Sequence, residues 1–415
     1  MKVVHLVAGM LTSGAARGAL HLHEALLGHG VDSRVLSSFS PAESSPFRNT
    51  IHAASWTGVP KIEARVRSRL EAQYLNTRYP RRQRHIFSIG AIGAPIWRHP
   101  WILRSDVVHL HWINAGLVRL QSLRRLKKPI VWTVRDMWPS TGGCHVAMDC
   151  TAYTSGCGAC PQLRSTRQND LTKRQVRKKR QLYRQLNVTF VGMSPWGADV
   201  LRSSRAVPDR MSIRVIPNAI DTKRFVPHDK AQARAKYGIA KHETVVLLGA
   251  HNVSEPWKGF SLAAKAVRGL PKQVLVVLFG TNSERLAASM KHRAIGVGYV
   301  ATPNELADLY SMADVFVAPS VQEQFGKTLV ESLACGTPVA AFDATGPQLI
   351  VQHRRSGYLA RPFSSDSLRE GIEWIVADKE RWGALSAFAR QDVVARFERT
   401  TMALEYIDLY HEVSV

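Results

Sequence analysis

Residues Ala313–Gly346 read ADVFVAPSVQEQFGKTLVESLACGTPVAAFDATG, and the order of patterns within this stretch indicates the fold. An apolar run that ends in Pro319-Ser320 is typical of a buried strand, a short polar loop follows, and Gly326 opens a segment whose apolar spacing predicts a helix. A second apolar run, 338–342, predicts another strand. Two buried strands on either side of a helix form the repeating unit of a parallel sheet covered by helices.

The same alternation of strand and helix patterns covers most of the chain. Val3–Val7 is an apolar run typical of a buried strand, a glycine-bearing loop follows, and a helical period continues to Gly30. We therefore predict the α/β class, with two successive doubly wound parallel-sheet domains over 1–212 and 213–393 and a final helical segment over 394–415. In such domains ligands bind beyond the carboxyl ends of the strands.

Charge is distributed unevenly along the 415 residues. Residues 1–210 carry 32 Lys and Arg against 11 Asp and Glu, whereas 211–415 carry 24 against 21, and the formal net charge of the chain is +24. A basic half indicates a surface that meets an anionic partner, and nucleic acid, an anionic lipid leaflet and a phosphorylated substrate all satisfy this condition. A basic composition with solvated charges would produce the same excess.

Targeting signals are not evident in the sequence. No apolar run approaches the roughly 18–20 residues that a membrane-spanning helix needs. Met1–Val7 has neither the long apolar stretch nor the small-residue cleavage site of a signal peptide. We therefore expect a cytoplasmic protein.

The loop and helix of the opening stretch carry two carboxylates eight residues apart, Glu323 and Glu331. A helix that begins near Gly326 presents free backbone N–H groups, which bind anions. A carboxylate accepts protons from two sugar hydroxyl groups at once, so this pair suits hydroxyl recognition, although incidental acids on an amphipathic helix are the alternative. Glu331 lies in an apolar run, where a carboxylate needs a partner because burial of an unpaired charge is costly.

These residues resemble the carboxyl-terminal signature of the group-one family of retaining nucleotide-sugar glycosyltransferases, which have the GT-B architecture and a characteristic Glu-x7-Glu spacing. The resemblance extends to the glycine loop after Val7, to VIPNAID at 215–221 and to WKGF at 257–260. It implies two Rossmann-like domains that face a central cleft and a nucleotide held mainly by the second domain. It also implies a last helix, 394–415, that crosses back to the first domain.

For the donor, the resemblance implies that Glu331 binds the ribose hydroxyls and that Glu323 lies against the transferred sugar as a catalytic residue. Lys258 matches the lysine that pairs with the diphosphate, where a fixed ammonium stabilises the charge of the departing nucleoside diphosphate. Gly14 matches a loop glycine whose backbone approaches the same diphosphate. The backbone that would contact sugar or phosphate belongs to Gln324, Phe325 and Gly326.

The sequence departs from the family pattern in two places. Many members carry an Arg just after the strand that precedes the Lys-Gly motif, whereas 249–253 reads GAHNV, and His251 or Arg17 could replace that Arg. The usual His-Asp of the first domain reads Arg135-Asp136 here. Asp136 could still serve in catalysis, or it could only cap a turn.

The acceptor side of the site is expected in the first domain. Arg17, Arg135 and His145 are candidates for it. His111, which ends a strand near the expected cleft, is another candidate, and a structural histidine is the alternative. His109 and His111 alternate along that strand, so we expect them to face opposite sides and not to form a metal pair.

Four of the five cysteines lie in a loop over 140–165 with the spacing C-x5-C-x6-C-x2-C. Clustered thiols in a cytoplasmic protein favour metal ligation or reduced thiols over disulfides. The loop also resembles a cysteine-bearing subset of the family that is associated with polysaccharide assembly. We expect a structural zinc site and no catalytic metal or other cofactor, because four thiolates leave no open coordination position. The expected zinc ligands are Cys144, Cys150, Cys157 and Cys160.

Basic residues interleaved with tryptophan form a further pattern in the first domain. A basic helix candidate, 61–74, and the charged run 78–84 precede Trp97 and Trp101. This combination suits a lipid headgroup interface, although a solvated helix with core tryptophans fits as well. Acceptors in bacterial polysaccharide assembly are often polyprenyl-diphosphate-linked sugars. An acceptor domain that rests on the anionic inner face of the plasma membrane is therefore a coherent hypothesis.

We predict a retaining hexosyltransferase that moves a sugar from a UDP or GDP sugar to a hydroxyl of a lipid-linked glycan, in exopolysaccharide, capsule or O-antigen assembly. A noncatalytic sugar-nucleotide or polysaccharide-binding protein of the same fold is the alternative, because the family Arg and His are missing. A nucleic-acid partner is not expected, since no recognition motif accompanies the charge.

Overall fold

The computed structural model describes residues 1–11, 13–40, 47–55 and 60–414. The chain divides into two compact units, Met1–Pro217 together with Met402–Val415, and Asn218–Thr401. The sequence placed the first division at 212/213, but a strand over Ser212–Val215 completes the first sheet, so that division falls later. The C-terminal segment groups with the first unit only from Met402 onward.

The sheet of the first unit consists of seven parallel strands. Their bounds are β1 (Lys2–Val7), β2 (Asp32–Ser37), β3 (Ile51–Ala53), β4 (Val107–Leu110), β5 (Ile130–Val134), β6 (Val188–Gly192) and β7 (Ser212–Val215). The spatial order is β3-β2-β1-β4-β5-β6-β7, which reverses direction between β1 and β4. A ligand site is expected at this reversal, beyond the carboxyl ends of the two strands.

Five α-helices lie between these strands in the described part of the first unit. Across all the described ranges, no helix combines the length and the apolarity needed to cross a membrane. The five are α1 (Gly14–Gly28), α2 (Pro60–Arg78), α3 (Pro100–Arg104), α4 (Leu171–Tyr183) and α5 (Pro195–Ser203).

The core of the first unit lies along its central strands. β4 and β5 are buried along their whole length, and β1 is buried after Lys2. Because both faces of a parallel sheet are covered, such strands are expected to be continuous apolar runs. His5 and His109, both fully buried, interrupt these runs with polar groups. Their partners form part of the site described below.

The second unit repeats the same topology with six strands. They are β8 (Val245–Asn252), β9 (Leu275–Thr281), β10 (Ala294–Gly296), β11 (Val315–Ala318), β12 (Val339–Phe342) and β13 (Gly357–Ala360), in the parallel order β10-β9-β8-β11-β12-β13. The reversal between β8 and β11 corresponds to that between β1 and β4. The prediction of two Rossmann-like parallel sheets is thus confirmed.

Helices flank the second sheet, and a last helix follows it. The helices are α6 (Lys230–Ala235), α7 (Phe260–Arg268), α8 (Ser283–Ser289), α9 (Pro303–Met312), α10 (Lys327–Ala334), α11 (Pro347–Ile350), α12 (Ser365–Val376), α13 (Lys379–Phe397) and α14 (Arg399–Ser414).

Candidate functional site

An ion pair lies at the carboxyl ends of the second sheet, just before α10. Lys258 Nζ donates to Glu323 Oε2 at 2.5 Å, and both side chains are largely buried. Gly326 starts the helix with a φ of 104°, and a Cβ at this position would lie 2.7 Å from the side chain of Leu329. A glycine is therefore required where the chain turns from the Glu323 loop into α10.

The loop that carries Lys258 is tied to the end of β11. Gly259 has a φ of 68°, and a Cβ there would lie only 1.8 Å from Pro319 O, so this close approach again requires glycine. The amide of Val321 donates to Trp257 O at 2.8 Å and joins the two loops. The pairing of Lys258 with Glu323 thus follows from backbone contacts between segments 65 residues apart.

Glu323 is also held from the loop after β12. Its amide donates to Thr345 Oγ1 at 3.2 Å, and its carbonyl accepts from the amide of Gly346 at 2.9 Å.

A second carboxylate, Glu255, lies near the ion pair of Lys258 and Glu323. Burial raises the pKa of Glu255, the ammonium of Lys258 opposes this rise, and Glu323 adds to it. The sequence prediction missed Glu255, because nothing in its local pattern separates it from a surface residue.

Glu331 is buried in α10, and its carboxylate has partners from the protein. Tyr310 OH donates to Oε2 at 3.0 Å, and Lys327 Nζ lies 3.5 Å from Oε1. Burial, with a smaller contribution from Glu331, raises the pKa of Tyr310 well above its usual value. The sequence predicted that this carboxylate needs a partner, but it did not indicate Tyr310, which lies in α9.

The loop residues Gln324 and Phe325 have different environments. Phe325 is 2% exposed and packs edge-on against Phe397 at 5.6 Å between ring centres, so its side chain belongs to the core. Gln324 is also buried, and within the described part of the chain neither its amide oxygen nor its amide nitrogen has a hydrogen-bond partner. Buried amides without partners are rare because they lose their hydrogen bonds to water. Gln324 therefore has an unused donor and an unused acceptor within the described part of the chain.

The first departure from the family pattern, and the residues of the opening glycine loop, can be located in the structure. The segment without an Arg ends β8, and the exposed His251 contacts the ring of Tyr299 there. Gly14 is the first residue of α1, after Ser13, which caps the helix by accepting from Ala16 N. Among the described residues, no atom would lie within 4 Å of a Cβ on Gly14, so none of their contacts requires glycine there. Arg17 lies half-buried in the first turn of the same helix.

In the first unit, Asp136 caps a turn and also contacts a buried histidine. Its Oδ1 accepts from the amide of Trp138 at 2.8 Å, which caps a turn, and its Oδ2 lies 2.6 Å from His145 Nδ1. His145 is 2% exposed, and its Nε2 lies 2.9 Å from Ser88 Oγ. His145 is therefore part of a buried network that supports Asp136.

The contacts Ser88–His145–Asp136 have the order of a hydrolase triad, but the surroundings do not suit a nucleophile. The amides of Ile89 and Ala91 donate to the carboxylate of Glu71 at 2.9 and 3.4 Å. These are the backbone donors that could otherwise bind an oxyanion beside Ser88. Burial raises the pKa of Glu71, and the amide contacts oppose this rise. We infer a structural role for Ser88.

The expectation for His109 and His111 was wrong. The two rings stack with centres 4.1 Å apart, because residues two positions apart along a strand point to the same face. With His5 they form the one group of three or more potential metal ligands among the described residues, with atoms within 4.8 Å of one another. His111 is 2% exposed and hydrogen-bonded through both ring nitrogens, to His5 and Arg135, so its place is inside the sheet rather than on a surface.

The four cysteines of the loop line a single pocket. All of them are free thiols, and no three of their sulfur atoms lie within 4.8 Å of one another in the described chain. Burial raises the pKa of Cys160, although N–H groups of Leu163 and Gln162 donate to its sulfur and oppose this rise. Such amide–sulfur bonds favour a thiolate, so four cysteines suit zinc as ligands. The distances between their sulfur atoms do not match those of a zinc ion bound by four thiolates.

Known protein families match both units of the chain. Residues 12–224 match the sequence model described as Glycosyltransferase Family 4, and residues 229–392 match the one described as Glycosyl transferases group 1. The two matched regions correspond to the two units found in the structure.

Curated relatives are similar over part or all of their length. A D-inositol 3-phosphate glycosyltransferase of Rhodococcus jostii (strain RHA1) is 27% identical over 300 residues, which are 68% of this chain and 61% of that protein. The glycosyl transferase WcaC of Escherichia coli (strain K12), named for colanic acid biosynthesis, is 24% identical over 422 residues, 99% of each chain. The chain thus spans about three fifths of the first relative and nearly all of the second.

Solved structures share the fold across the whole chain. A sucrose-phosphate synthase from Thermosynechococcus elongatus has a TM-score of 0.72 at 20% identity and covers 100% of this chain and 99% of its own. Anabaena Alr3699/HepE in complex with UDP and glucose has a TM-score of 0.69 at 17% identity, with coverages of 99% and 100%. With two Rossmann-like sheets and family matches to both units, the chain belongs to the group 1 glycosyltransferases of the GT-B fold.

Proposed function

We propose that this protein transfers a hexose, with retention of configuration, from a UDP or GDP sugar to a hydroxyl group of an acceptor glycan. The observation that carries the proposal is the arrangement before α10, where Lys258 is paired with Glu323 and the buried amide of Gln324 has no partner within the described chain. Lys258 supplies a cation for a diphosphate, and Gln324 supplies an amide for sugar hydroxyls. The two residues lie on adjoining loops, which the bond from Val321 N to Trp257 O connects. Helix α10 begins in the same place.

The proposed chemistry needs positioning and charge stabilisation more than a covalent intermediate. The bond between the sugar C1 and the diphosphate oxygen breaks, the acceptor oxygen bonds to C1 from the same face, and the acceptor proton passes to the departing diphosphate. Lys258 and the backbone N–H groups at the start of α10 stabilise the negative charge that develops on the leaving group. Glu323 orients the transferred sugar, and Glu331 binds the ribose hydroxyls. No cofactor takes part in this scheme.

A uridine nucleotide is supported as the donor by a fold relative, since Anabaena Alr3699/HepE was solved with UDP and with UDP-glucose. At 16% identity, these structures do not indicate which base this chain binds, so the proposal includes GDP sugars as well as UDP sugars. The test is release of nucleoside diphosphate from a panel of UDP and GDP sugars by the purified full-length protein. Release with an α-linked product from an α-linked donor supports the proposal, and a product of inverted configuration contradicts retention.

A polyprenyl-diphosphate-linked glycan is the proposed acceptor, in the assembly of a bacterial polysaccharide. The support comes from the full-length similarity to WcaC, which is named for colanic acid biosynthesis, and from the excess of basic residues in 1–210. Arg17, Arg135 and Asp136 are the residues of the first unit proposed to face this acceptor. Transfer to a lipid-linked acceptor, compared with the same glycan without lipid diphosphate, tests this part.

An anionic membrane surface is the proposed location of the first unit, because α2 buries two charged side chains and exposes four apolar ones. The buried charges are bonded: Arg67 donates to Gly116 O at 2.8 Å, and Glu71 binds backbone amides. The four exposed apolar residues lie among polar ones, and we call them the α2 ridge. The ridge consists of Ile62, Val66, Leu70 and Tyr74, which are 61%, 48%, 49% and 48% exposed.

Charge beside the ridge favours lipid as the occupant. Arg65 and Arg69 are exposed on the same helix, where they would meet anionic headgroups while the ridge enters the interface. Flotation of the protein with vesicles that contain an anionic lipid tests this location. Binding at low salt that weakens as salt increases supports it, and no binding to such vesicles contradicts it.

A binding protein without catalysis is the second candidate, favoured by the GAHNV segment that lacks the family Arg. It predicts tight binding of a nucleotide sugar with no release of nucleoside diphosphate in the presence of acceptor.

A structural zinc ion at Cys144, Cys150, Cys157 and Cys160 stays a proposal as well. The pocket shared by the four thiols and the amide–sulfur contacts of Cys160 support it. Metal analysis of protein purified under reducing conditions is the test. One zinc per chain supports the site, and absence of zinc contradicts it.

A further inference from the structure

Thr345 has an unusual backbone conformation in the loop that follows β12. Its φ is 56°, in the left-handed region, and it is the one β-branched residue with a positive φ among the described residues. A branched Cβ is crowded by the backbone in this region, so glycine or asparagine is the ordinary choice there. The backbone of Thr345 is therefore strained, and the surrounding contacts must hold it in place.

Backbone hydrogen bonds fix the chain on both sides of Thr345. Before it, the amide of Asp343 donates to Ala360 O at 2.7 Å, which continues the pairing of β12 with β13. After it, Gly346 O accepts from the amide of Leu349 at 3.0 Å, in the first turn of α11. The strained residue thus lies between two fixed segments of the second unit.

Helix α13 holds the far end of α11. Arg396 donates from Nη1 to Leu349 O at 2.8 Å and from Nη2 to Ile350 O at 2.9 Å. The carbonyls at the end of so short a helix have no partners within it, so the guanidinium supplies them. Asp392, one turn earlier in α13, lies 2.7 Å from Arg396 Nη2 and orients the guanidinium. Arg396 therefore anchors the helix that follows Thr345.

The same end of α13 also holds the loop that carries Glu323. Phe397, next to Arg396, packs edge-on against Phe325, with 5.6 Å between ring centres. Phe325 lies two residues after Glu323. One helix thus supports both loops whose contact is described next.

The strained conformation places the hydroxyl of Thr345 against the amide of Glu323. Thr345 Oγ1 accepts from Glu323 N at 3.2 Å, and Gly346 N donates to Glu323 O at 2.9 Å. Two consecutive residues of one loop therefore bind both backbone polar groups of Glu323. Because fixed backbone atoms also fix the direction of the Cα–Cβ bond, they determine where the carboxylate that pairs with Lys258 begins.

We propose that Thr345 is a positioning residue whose hydroxyl fixes Glu323 beside Lys258. This inference rests on the proposed function, in which Glu323 orients the transferred sugar. A small misplacement of such a group lowers the rate of the chemical step, because the reacting atoms lose their alignment. Glycine would adopt the backbone of Thr345 without strain but has no hydroxyl for the amide. The hydrogen bond to Glu323 is thus the reason for a strained threonine.

The first test separates the hydroxyl of Thr345 from its branched shape. Thr345→Ser keeps the hydroxyl and removes the branch, Thr345→Val keeps the branch and removes the hydroxyl, and Thr345→Ala removes both. Release of nucleoside diphosphate from the donor, with acceptor present, gives kcat and the donor KM of the full-length protein. We expect kcat to fall about tenfold or more in Thr345→Val and Thr345→Ala and to stay within about threefold in Thr345→Ser, with smaller changes in KM.

Unfolding in urea shows whether these losses follow from stability instead. The branch causes the strain, so Thr345→Ala should unfold at a higher urea concentration than Thr345→Val. Activity should then follow the hydroxyl, while stability follows the branch. If kcat decreases in the order of the unfolding midpoints, or if Thr345→Ser loses as much activity as Thr345→Ala, the positioning role is overturned.

Thr302 provides a matched control in the same unit. Its Oγ1 accepts from Glu305 N at 3.2 Å, the same distance as in the bond between Thr345 and Glu323, but its role is to cap α9. Thr302→Val should lower the urea midpoint and leave kcat near that of the native protein. Equal losses of kcat in Thr302→Val and Thr345→Val would contradict a specific role for Thr345.

Hydrogen exchange tests the contact without a substrate. Mass spectrometry of peptides that contain Glu323 should show faster amide exchange in Thr345→Val and Thr345→Ala than in Thr345→Ser, because only the last keeps the acceptor. If the native protein releases no nucleoside diphosphate, the proposed function fails, and the exchange data still decide whether Thr345 fixes Glu323. Equal exchange in the three variants overturns the inference in either case.

Discussion

The two sheets share one topology, yet their carboxyl-end sites hold a cation in opposite ways. In the second unit, Lys258 is paired with the carboxylate of Glu323, and both lie on loops that glycines bring together. In the first unit, Arg135 is supported by neutral rings that reach it from inside the sheet. The comparison teaches that one fold can hold a cation beside a carboxylate or against hydrogen-bonded neutral imidazoles.

This difference has a physical basis in burial. Lys258 and Glu323 are each about one fifth exposed, so the pair stays partly solvated and a ligand can exchange with Glu323 for the ammonium. His5, His23 and His111 are at most 2% exposed. Charged imidazoles would be costly in such a buried place, whereas neutral, hydrogen-bonded imidazoles are not.

The largest effect is expected from Lys258→Ala, which removes the balanced cation of the second unit. Loss of a group that stabilises leaving-group charge should lower the turnover of donor about 100- to 1000-fold. Stability should change little, because the pair is partly solvated. The measurement is release of nucleoside diphosphate with denaturant unfolding in parallel. Lys265→Ala, an exposed lysine of α7, is the control, and near-native turnover of Lys258→Ala would remove Lys258 from the mechanism.

The next effect concerns the acid stability of the first unit. Burial lowers the pKa of His23 to about 4, against 6.5 in an unfolded chain. Between these values the unfolded chain binds the extra proton, so stability is complete above pH 6.5 and falls as the pH decreases toward 4. The loss from His23 should reach about 3 kcal/mol, and the lowered pKa values of His5, His109 and His111 act in the same direction.

Urea unfolding at pH 7 and at pH 4.5 measures this loss. His23→Gln lacks the titrating group, so its free energy of unfolding should depend less steeply on pH over that interval. Identical pH dependence in the native protein and in His23→Gln would contradict a neutral His23.

A smaller effect is expected from Glu331→Gln in the donor region. The glutamine retains an acceptor for Tyr310, so the fold should persist, while the loss of a charged acceptor should weaken UDP or GDP binding about tenfold. Calorimetric titration of the nucleotide that binds native protein is the measurement. Binding of inorganic pyrophosphate should be unchanged, and an equal loss for pyrophosphate would argue against ribose recognition. Glu373→Gln, at an exposed position, is the control.

The smallest effect is expected on the α2 ridge. Leu70→Ser removes an exposed apolar side chain from the surface proposed to enter the lipid interface, so partitioning onto anionic vesicles should fall about fivefold. Leu404→Ser is a matched control, since Leu404 is 48% exposed and Leu70 49%. Vesicle sedimentation measures both variants. Equal losses, or none, would show that the ridge does not contact lipid.

Much of the second unit could be predicted from sequence, because its signals are local. The strand before Pro319, the glycine that opens α10 and the spacing of Glu323 and Glu331 all lie between Val315 and Glu331. The partners of these residues were not predictable in the same way. Tyr310 and Glu255 reach the site through the packing of separate elements.

The first unit was less accessible to prediction. His109 and His111 were assigned to opposite faces, although the period of two along a strand places them on one face. The third ring of the cluster, His5, lies directly beside His109 in the parallel register of β1 and β4. That register depends on which strands are neighbours, and the apolar runs of the sequence do not show which strands are neighbours.

The sequence by itself determined the α/β class, the two parallel sheets and the family, because alternating apolar runs, glycine positions and carboxylate spacing act over short distances along the chain. Only the tertiary structure decided which groups support one another. His109 meets Tyr410 across 301 positions. His111, His5, Ser33 and His23 form successive hydrogen bonds although they belong to four separate segments. Buried polar groups need hydrogen-bond partners, which the packed fold brings from distant parts of the chain. Such contacts produce no periodic pattern in the sequence.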